Sequence, residues 1–409
     1  MINNIFNMYI GKKISLISIL SLLLFAQLIT LNYYESTVYT IILYLFLLII
    51  IIYCLKNIDI ITKINSTSIV MFLGTLLLGS GIVISSYVNG IEIYNLRNAI
   101  YYALLIITTS FFLMIIAQKR KLKLLFNAGK LYLIAILIAN DFLMIAFPSR
   151  FYNIHGRVIG TCLIGNKFVV AYAHIALLFI LMILHRRNEK LKIFLYGLFT
   201  IIVCRYVDCM TCVLGTFFLL VLFYIPNFIK KILFSPIIFS LSFFLSASIL
   251  ILFQNILNFG PVRFLIVDIL HRDLTLTGRM EIYYYIFDLV SAHKLFGYGH
   301  STNIVEQKSI WYANAQNAFW DFVISYGFIT VIILFLFILS LFFRANWIRM
   351  KYGMNFYIYT TICIIYVYMF IGIGEIVYNK LFIFYAILLG AFCIDNYNKY
   401  KIRKITDYV

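Results

Sequence analysis

The sequence predicts an all-α polytopic membrane protein, a bundle of about 12 transmembrane helices with one large extracytoplasmic loop. Three observations predict it. The 409-residue chain is 64% hydrophobic and only 12% charged, against roughly 45–50% and about 25% in soluble domains. Runs such as "TIILYLFLLIIIIYCL" (40–55) approach the about 20 apolar residues that a helix needs to cross lipid. Basic residues gather in alternate connections between such runs, the pattern that keeps short basic loops in the cytoplasm.

The twelve spans follow in order, and most are delimited by charged or turn-forming segments. The first, 14–31, starts behind Lys12 and Lys13; the second, 36–55, stops at Lys56. Span 67–88 lies between Lys63 and the polar stretch "NGIEIYNLRN" (89–98), and 99–117 runs from there to "QKRKLK" (118–123). Span 127–147 ends at Pro148, and 166–184 ends at "HRRNEKLK" (185–192). Spans 193–204 and 212–225 are short and separated only by "RYVDCMT", so they meet as a tight outward hairpin. Span 232–254 follows Lys230 and Lys231, and 316–343 ends at Arg344. Spans 355–374 and 380–394 complete the set before the tail "NKYKIRK". The inward connections then hold 21 of the 33 Lys and Arg residues, the outward ones hold 11, and Lys130 lies within a span. Both termini face the cytoplasm in this topology. The whole chain, 1–409, reads as a single integral membrane domain, with the large outer loop at about 255–315.

The net charge of +18 is accounted for by that asymmetry together with anionic lipid, so no nucleic-acid partner is expected. The lysines ahead of the first apolar run are followed by no small-residue cleavage site, which reads as a retained helix rather than a signal peptide. The seven cysteines are scattered, mostly inside spans, and predict no disulfide framework. Cys204, Cys209 and Cys212 lie close in sequence, but a zinc site usually needs four ligands; no metal is predicted.

Polarity concentrates in three outer segments: 89–98, "PSRFYNIHGRVIGTCLIGNK" (148–167), and the loop 255–315. They and the short hairpin carry Arg97, Arg150, Arg157, Arg205, Arg263, Arg272 and Arg279 on the side that the topology rule disfavours. Planar guanidinium groups bind phosphate through paired hydrogen bonds, so a converging set suits a pyrophosphate at the outer leaflet. The alternative is pairing with Glu92, Asp208, Asp268, Asp273 and Glu281, or plain hydration. Arg205 lies in a hairpin between apolar helices, where an ionisable group is a functional candidate; a pair with Asp208, three residues on, is its structural alternative. "IYYYIF" (282–287) predicts an amphipathic helix with interfacial tyrosines. "FGYGH" predicts a flexible turn with Tyr298 exposed.

With those residues in place, "TGRMEIYYYIFDLVSAHKLFGYGHST" followed by "NAQNAFWDFVISYGFITVIILF" resembles the signature region of the O-antigen ligase and Wzy-type polysaccharide polymerase family. "RNAIYYALL" (97–105), "HGRVIGTCLIGNKFVVAYAH" (155–174) and "VDCMTCVLGT" (207–216) are similar to the matching parts of Gram-positive capsule-repeat polymerases. The likeness covers about residues 90–345. It implies a GT-C-like membrane glycosyltransferase at the outer face of a bacterial plasma membrane. Such an enzyme moves a glycan from undecaprenyl pyrophosphate onto the next lipid-linked oligosaccharide repeat unit, with no cofactor. A flippase and a chain-length regulator are the implied protein partners.

Carried over residue by residue, Arg279 takes the place of the family arginine proposed to hold pyrophosphate. Arg157 takes that of another outward arginine ahead of a helix start, here Asn166. The family pattern has His-Asn where this chain has Gln316-Asn317. Glutamine is no general base, although Gln316 can hydrogen-bond an acceptor hydroxyl or phosphate; His300, sixteen residues earlier, is the nearest replacement base. Arg279, Arg157, Gln316 and His300 are thus the expected catalytic residues. Arg205, Arg97, Asn317 and Tyr298 are the expected substrate contacts. The rival class is a lipid-linked oligosaccharide flippase, which would place charge near the midplane along a cavity, where Asp141 is this chain's clearest mid-span charge. A glycan ligase on the same scaffold is the nearer alternative.

Overall fold

The computed structural model describes residues 15–31, 36–61, 65–89, 93–148, 163–185, 189–252, 259–269, 279–302, 304–308 and 314–406. Twelve long helices organise them: α1 (Leu16–Leu28), α2 (Thr37–Lys56), α3 (Ser66–Asn89), α4 (Ile93–Gln118), α5 (Leu122–Ala146), α6 (Lys167–Leu184), α7 (Lys190–Tyr206), α8 (Met210–Tyr224), α9 (Pro236–Leu252), α10 (Ala318–Tyr352), α11 (Phe356–Ile371) and α12 (Lys380–Thr406). Each of the twelve apolar segments of the sequence coincides with one of these helices.

Among the described residues, seven helices are long and apolar enough to cross a membrane by length and composition: α2, α3, α4, α5, α6, α10 and α12. Helix α8 and the short helix Asn227–Leu233 pass together but are bent by 120°, while α1, part of α9 and α11 are shorter apolar helices. This is a polytopic, all-helical membrane protein. Asparagine starts five of its helices. Asn65, Asn166, Asn317, Asn355 and Asn379 each present Oδ1 to the first free backbone N–H groups, which have no partner inside the helix.

The chain divides into two compact units. Unit 1 comprises Met1–Thr62 and Phe112–Cys209; unit 2 comprises Lys63–Phe111 and Met210–Val409. In unit 1, α5 packs against α1 and α6, α6 against α7, and α1 against α2. In unit 2, α10 packs against α3, α9 and α12, while α11 packs against α8, α9 and α12. The α3–α10 contact is close because Gly74 and Gly81 face it: a Cβ on either would meet Phe337 or Thr330 within 3 Å. Small residues of this kind let membrane helices approach. An aromatic core fills unit 2 beside α10, with Phe239 stacked on Phe342 at 4.4 Å and Phe243 on Tyr378 at 5.8 Å.

The segment 255–315 is structured wherever it is described. It holds Gly260–Arg263 running into a π-helix Phe264–Ile269, the helix Arg279–Ala292, and Ile304–Lys308. The helix expected from "IYYYIF" is present as Arg279–Ala292, and it packs on α10, with Phe287 edge-on to Trp320 at 5.5 Å.

Candidate functional site

Helix α10 is broken at Gly327, whose φ of 75° and ψ of 171° are not helical. A regular helix would bond Phe328 N–H to Ile324 O and Ile329 N–H to Ser325 O; the break frees all four groups. The turn after Arg279–Ala292 takes each of them up. Phe328 N donates to Lys294 O at 2.9 Å and Ile329 N to Leu295 O at 3.4 Å. In the other direction, Tyr298 N donates to Ile324 O and Gly299 N to Ser325 O, both at 2.8 Å. A broken helix survives within lipid only when neighbours satisfy the freed backbone groups, and here the "KLFGYG" turn (294–299) does so.

Two glycines make this exchange possible. A Cβ on Gly327 would lie 2.1 Å from Leu295 O, and one on Gly297, with φ +63°, would lie 2.5 Å from Ile324 O. The end of α3 closes the clamp. Ser85 Oγ reaches Phe296 O and, at 2.8 Å, Ser325 O; Asn89 Nδ2 donates to Gly297 O; His300 N donates to Ser86 Oγ at 2.8 Å. Tyr298 is therefore half-buried rather than exposed, and its turn is pinned rather than flexible. Its hydroxyl donates to Leu289 O at 3.1 Å and its ring sits on His293 at 4.3 Å.

The clamp presents His300. Its ring stacks between Tyr102 of α4 (5.0 Å) and Tyr326 of α10 (5.9 Å), and its Nδ1 meets the Tyr326 hydroxyl at 2.5 Å. That nitrogen is the phenol's acceptor among the described residues, so satisfying the buried O–H assigns the phenol as donor. The proton of the neutral ring then sits on Nε2, which has no hydrogen-bond partner among the described residues. Burial lowers the imidazole from 6.5 to about 4, so the ring is neutral near pH 7. These features speak against the general-base role expected for His300. A ring with Nδ1 occupied and its basicity depressed is a hydrogen-bond donor through Nε2–H.

The disputed pair lies at the start of α10. Asn317 is 1% exposed, caps the helix through Oδ1, and donates through Nδ2 to Ser246 O and Ile373 O, both at 3.1 Å. Its polar atoms are committed to structure, which speaks against the substrate contact expected there. Gln316 adopts φ +50°, a strained conformation for a side-chain-bearing residue. Its N and Nε2 both donate to Asn314 Oδ1, at 3.0 and 2.8 Å.

Of the expected arginines, Arg97 is exposed near the start of α4, five residues from Tyr102, or about 7.5 Å of helix rise. Arg279 begins its helix, with its side chain outside the described residues. Arg150, Arg157 and Arg272 also lie outside them. Arg205 is exposed in the last turn of α7 in unit 1. Asp208 receives Lys167: Nζ stands 3.7 Å from its carboxylate and 3.2 Å from its carbonyl. Unit 2 thus gathers Tyr298 and His300 at the clamp, brings Arg97's helix onto His300, and joins Gln316 and Asn317 to the same α10.

Several polar groups, or the partners of groups already noted, went unread in the sequence. Tyr102, Tyr326 and Ser86 hold His300. The carboxylate of Glu375, 5% exposed, accepts from Thr211 Oγ1 at 3.1 Å. In unit 1, Asp141 is part of a chain: its Oδ1 lies 3.3 Å from His174 Nε2, and His174 Nδ1 lies 3.2 Å from the Tyr196 hydroxyl. The only sequence signal for the first set is "SYGF", whose glycine interrupts an otherwise continuous apolar run. Among the described residues, no three His, Cys, Asp or Glu side chains group as metal ligands. Comparison with known protein families, characterised proteins and solved structures gives no match.

Proposed function

We propose that the chain is a membrane glycosyltransferase. In this reading it polymerises undecaprenyl-pyrophosphate-linked oligosaccharide repeat units into capsular or other surface polysaccharide at the outer face of a bacterial plasma membrane. Twelve spans in a GT-C-like bundle, cytoplasmic termini, and a flippase and chain-length regulator as partners belong to this reading. The observation that carries it is His300. A neutral imidazole is held by a phenol on one nitrogen and offers N–H on the other, at a break in an apolar helix. A preorganised neutral donor suits a phosphate or sugar oxygen.

The reaction asks little else of the protein. An acceptor hydroxyl attacks an anomeric carbon that already carries a good leaving group, so orientation and stabilisation of charge growing on pyrophosphate dominate. One well-placed donor contributes about 2.7–4 kcal/mol to that stabilisation. In this reading Arg279 takes the pyrophosphate, Arg97 supports it, and His300 donates to an oxygen nearby.

Arg279 supplies the test. Arg279→Ala should abolish chain growth at normal abundance, and Arg279→Lys should restore part of it, because an ammonium keeps the charge but loses the forked geometry. Glycan length on gels is read beside the sidedness of single lipid-linked units. Normal long chains in Arg279→Ala would refute the assignment. A flippase is the second reading, favoured by the Asp141–His174–Tyr196 chain within apolar helices, where ionisable groups mark transport or proton paths. Single units trapped in the cytoplasmic leaflet would select it. A ligase differs only in its acceptor, and transfer to a non-repeat acceptor would select that.

A further inference from the structure

We propose that Asp321 is the group that takes the proton of the acceptor hydroxyl, an inference that rests on the glycosyltransferase reading. With the His300 ring a donor and Gln316 an amide, that reaction still lacks a base. Asp321 stands in the first turn of α10, five residues before Tyr326, whose phenol holds His300. Its carboxylate lies near enough to act electrostatically on that phenol.

The helix directions place Asp321 relative to His300. Helix α3 runs against α10, since Gly74 faces Phe337, Gly81 faces Thr330 and Ser85 bonds Ser325 O. It also runs against α4, since Gly79 faces Ala103 and Ile107 while Ser110 Oγ donates to Met71 O. Helices α4 and α10 therefore run the same way, and each supplies one of the tyrosines stacked on His300. Arg97 precedes Tyr102, and Asp321 precedes Tyr326, by the same five residues, about 7.5 Å of helix rise. A cation and an anion thus lie on one side of His300, towards the starts of the two helices. The anion is beside the strained Gln316 turn, because Ala315 N donates to its Oδ1 at 3.4 Å.

That long bond is the one its carboxylate accepts among the described residues, and it leaves most of the roughly four acceptor sites open. Of the other acidic residues described in the segments around it, Asp268, Asp288 and Glu306 are exposed, and Glu375 accepts from Thr211. Asp321 is half-buried in an apolar helix, where an ionisable group is a functional candidate. In the proposed step the acceptor oxygen forms a bond to the anomeric carbon and its proton passes to Asp321. The bond from that carbon to the phosphate oxygen breaks, and its electron pair leaves with undecaprenyl pyrophosphate. Asp321 then returns the proton to water. His300 keeps its proton throughout.

The test uses the full-length protein in vesicles with lipid-linked repeat units, comparing wild type, Asp321→Asn, Asp321→Glu and His300→Gln. Asp321→Asn keeps an oxygen for Ala315 N and should lower turnover by about 100-fold or more, with KM for the lipid-linked acceptor little changed. The acid limb of its pH profile should disappear. Asp321→Glu should keep that limb at reduced turnover, which carries the test if the amide variant does not accumulate. His300→Gln should also keep the limb, because a donor does not titrate in the step. An acid in the first turn also favours a helix start; if that were its whole role, Asp321→Asn would melt earlier and retain the limb, which overturns the inference. Wild-type turnover in Asp321→Asn, a glutamate variant without the limb, or a limb that vanishes with His300→Gln would each overturn it alone. A wild type that elongates nothing under these conditions would overturn the glycosyltransferase reading and this inference with it.

Discussion

Each unit contains a histidine whose Nδ1 meets a tyrosine hydroxyl, and the two differ at the other nitrogen. In unit 1, His174 is 1% exposed, and its Nε2 faces the carboxylate of Asp141. A carboxylate only accepts, so Nε2 carries the proton and Nδ1 accepts from Tyr196, which closes the chain. In unit 2, His300 has the same tautomer because its Nδ1 is the acceptor for the Tyr326 hydroxyl, but its Nε2–H meets no partner among the described residues. The surroundings differ as well. His174 sits between regular helices α5, α6 and α7, whereas His300 sits on a turn that completes the broken α10. A buried polar group with all its bonds made stabilises a fold, and one with a donor to spare is a site for something else. Irregular backbone accompanies the second kind, as expected where structure is spent on function.

The largest effect should come from breaking the clamp that keeps His300 open. Gly327→Ala places a methyl group against Leu295 O in a φ region that alanine avoids, at a cost of roughly 3 kcal/mol or more. Hydrogen exchange should accelerate across 293–302 and 324–329, with α5, α6 and α7 unchanged, and chain growth should stop. Unchanged exchange in those two segments would mean that the clamp does not hold the turn.

The clamp also shows what was legible in advance. The long helices could be read from apolar runs, and the seven long enough to cross a membrane most plainly, because lipid demands both hydrophobicity and internal backbone bonding. Their ends were less clear. Helix α12 continues to Thr406 and α10 to Tyr352, beyond the expected 394 and 343, because hydropathy marks where a helix leaves lipid rather than where its hydrogen bonds stop. The break was marked only by Gly327 itself, since the residues on either side of it stay apolar. His300 was noticed as a residue, but its role was not legible, because it depends on Ser86, Tyr102 and Tyr326, up to 214 positions away in the chain. Glu375 and Thr211, 164 positions apart, were invisible for the same reason.

A smaller effect should appear with pH. The unfolded chain protonates His300 near 6.5, while the folded chain resists until about 4. Between those values the unfolded state binds more protons, so stability rises with pH. The contribution is complete above 6.5 and is lost as pH falls towards 4, by at most about 1.4 kcal/mol per pH unit. Melting of the detergent-solubilised protein across that window should therefore show a slope that His300→Gln removes and His174→Gln retains. The same slope in His300→Gln would place its origin elsewhere.

The smallest effect is expected in unit 1, where it tests whether the closed chain is structural. Asp141→Asn removes a charge but leaves an amide oxygen that can still accept from His174 Nε2–H, and Tyr196 can still donate to Nδ1. Exchanging a charge-assisted bond for a neutral one costs about 1 kcal/mol, so the melting temperature should fall slightly while glycan length and the sidedness of single units stay normal. The same change in a transporter that moves protons along this chain would remove its titrating carboxylate. Lipid-linked units would then remain in the cytoplasmic leaflet although the protein is folded and abundant. Asp141→Asn therefore sets the two histidines against each other. If polymer survives in it and fails in Gly327→Ala, the chemistry belongs to unit 2 and the Asp141–His174–Tyr196 chain is packing; if export of units fails in Asp141→Asn, the closed histidine was the working one.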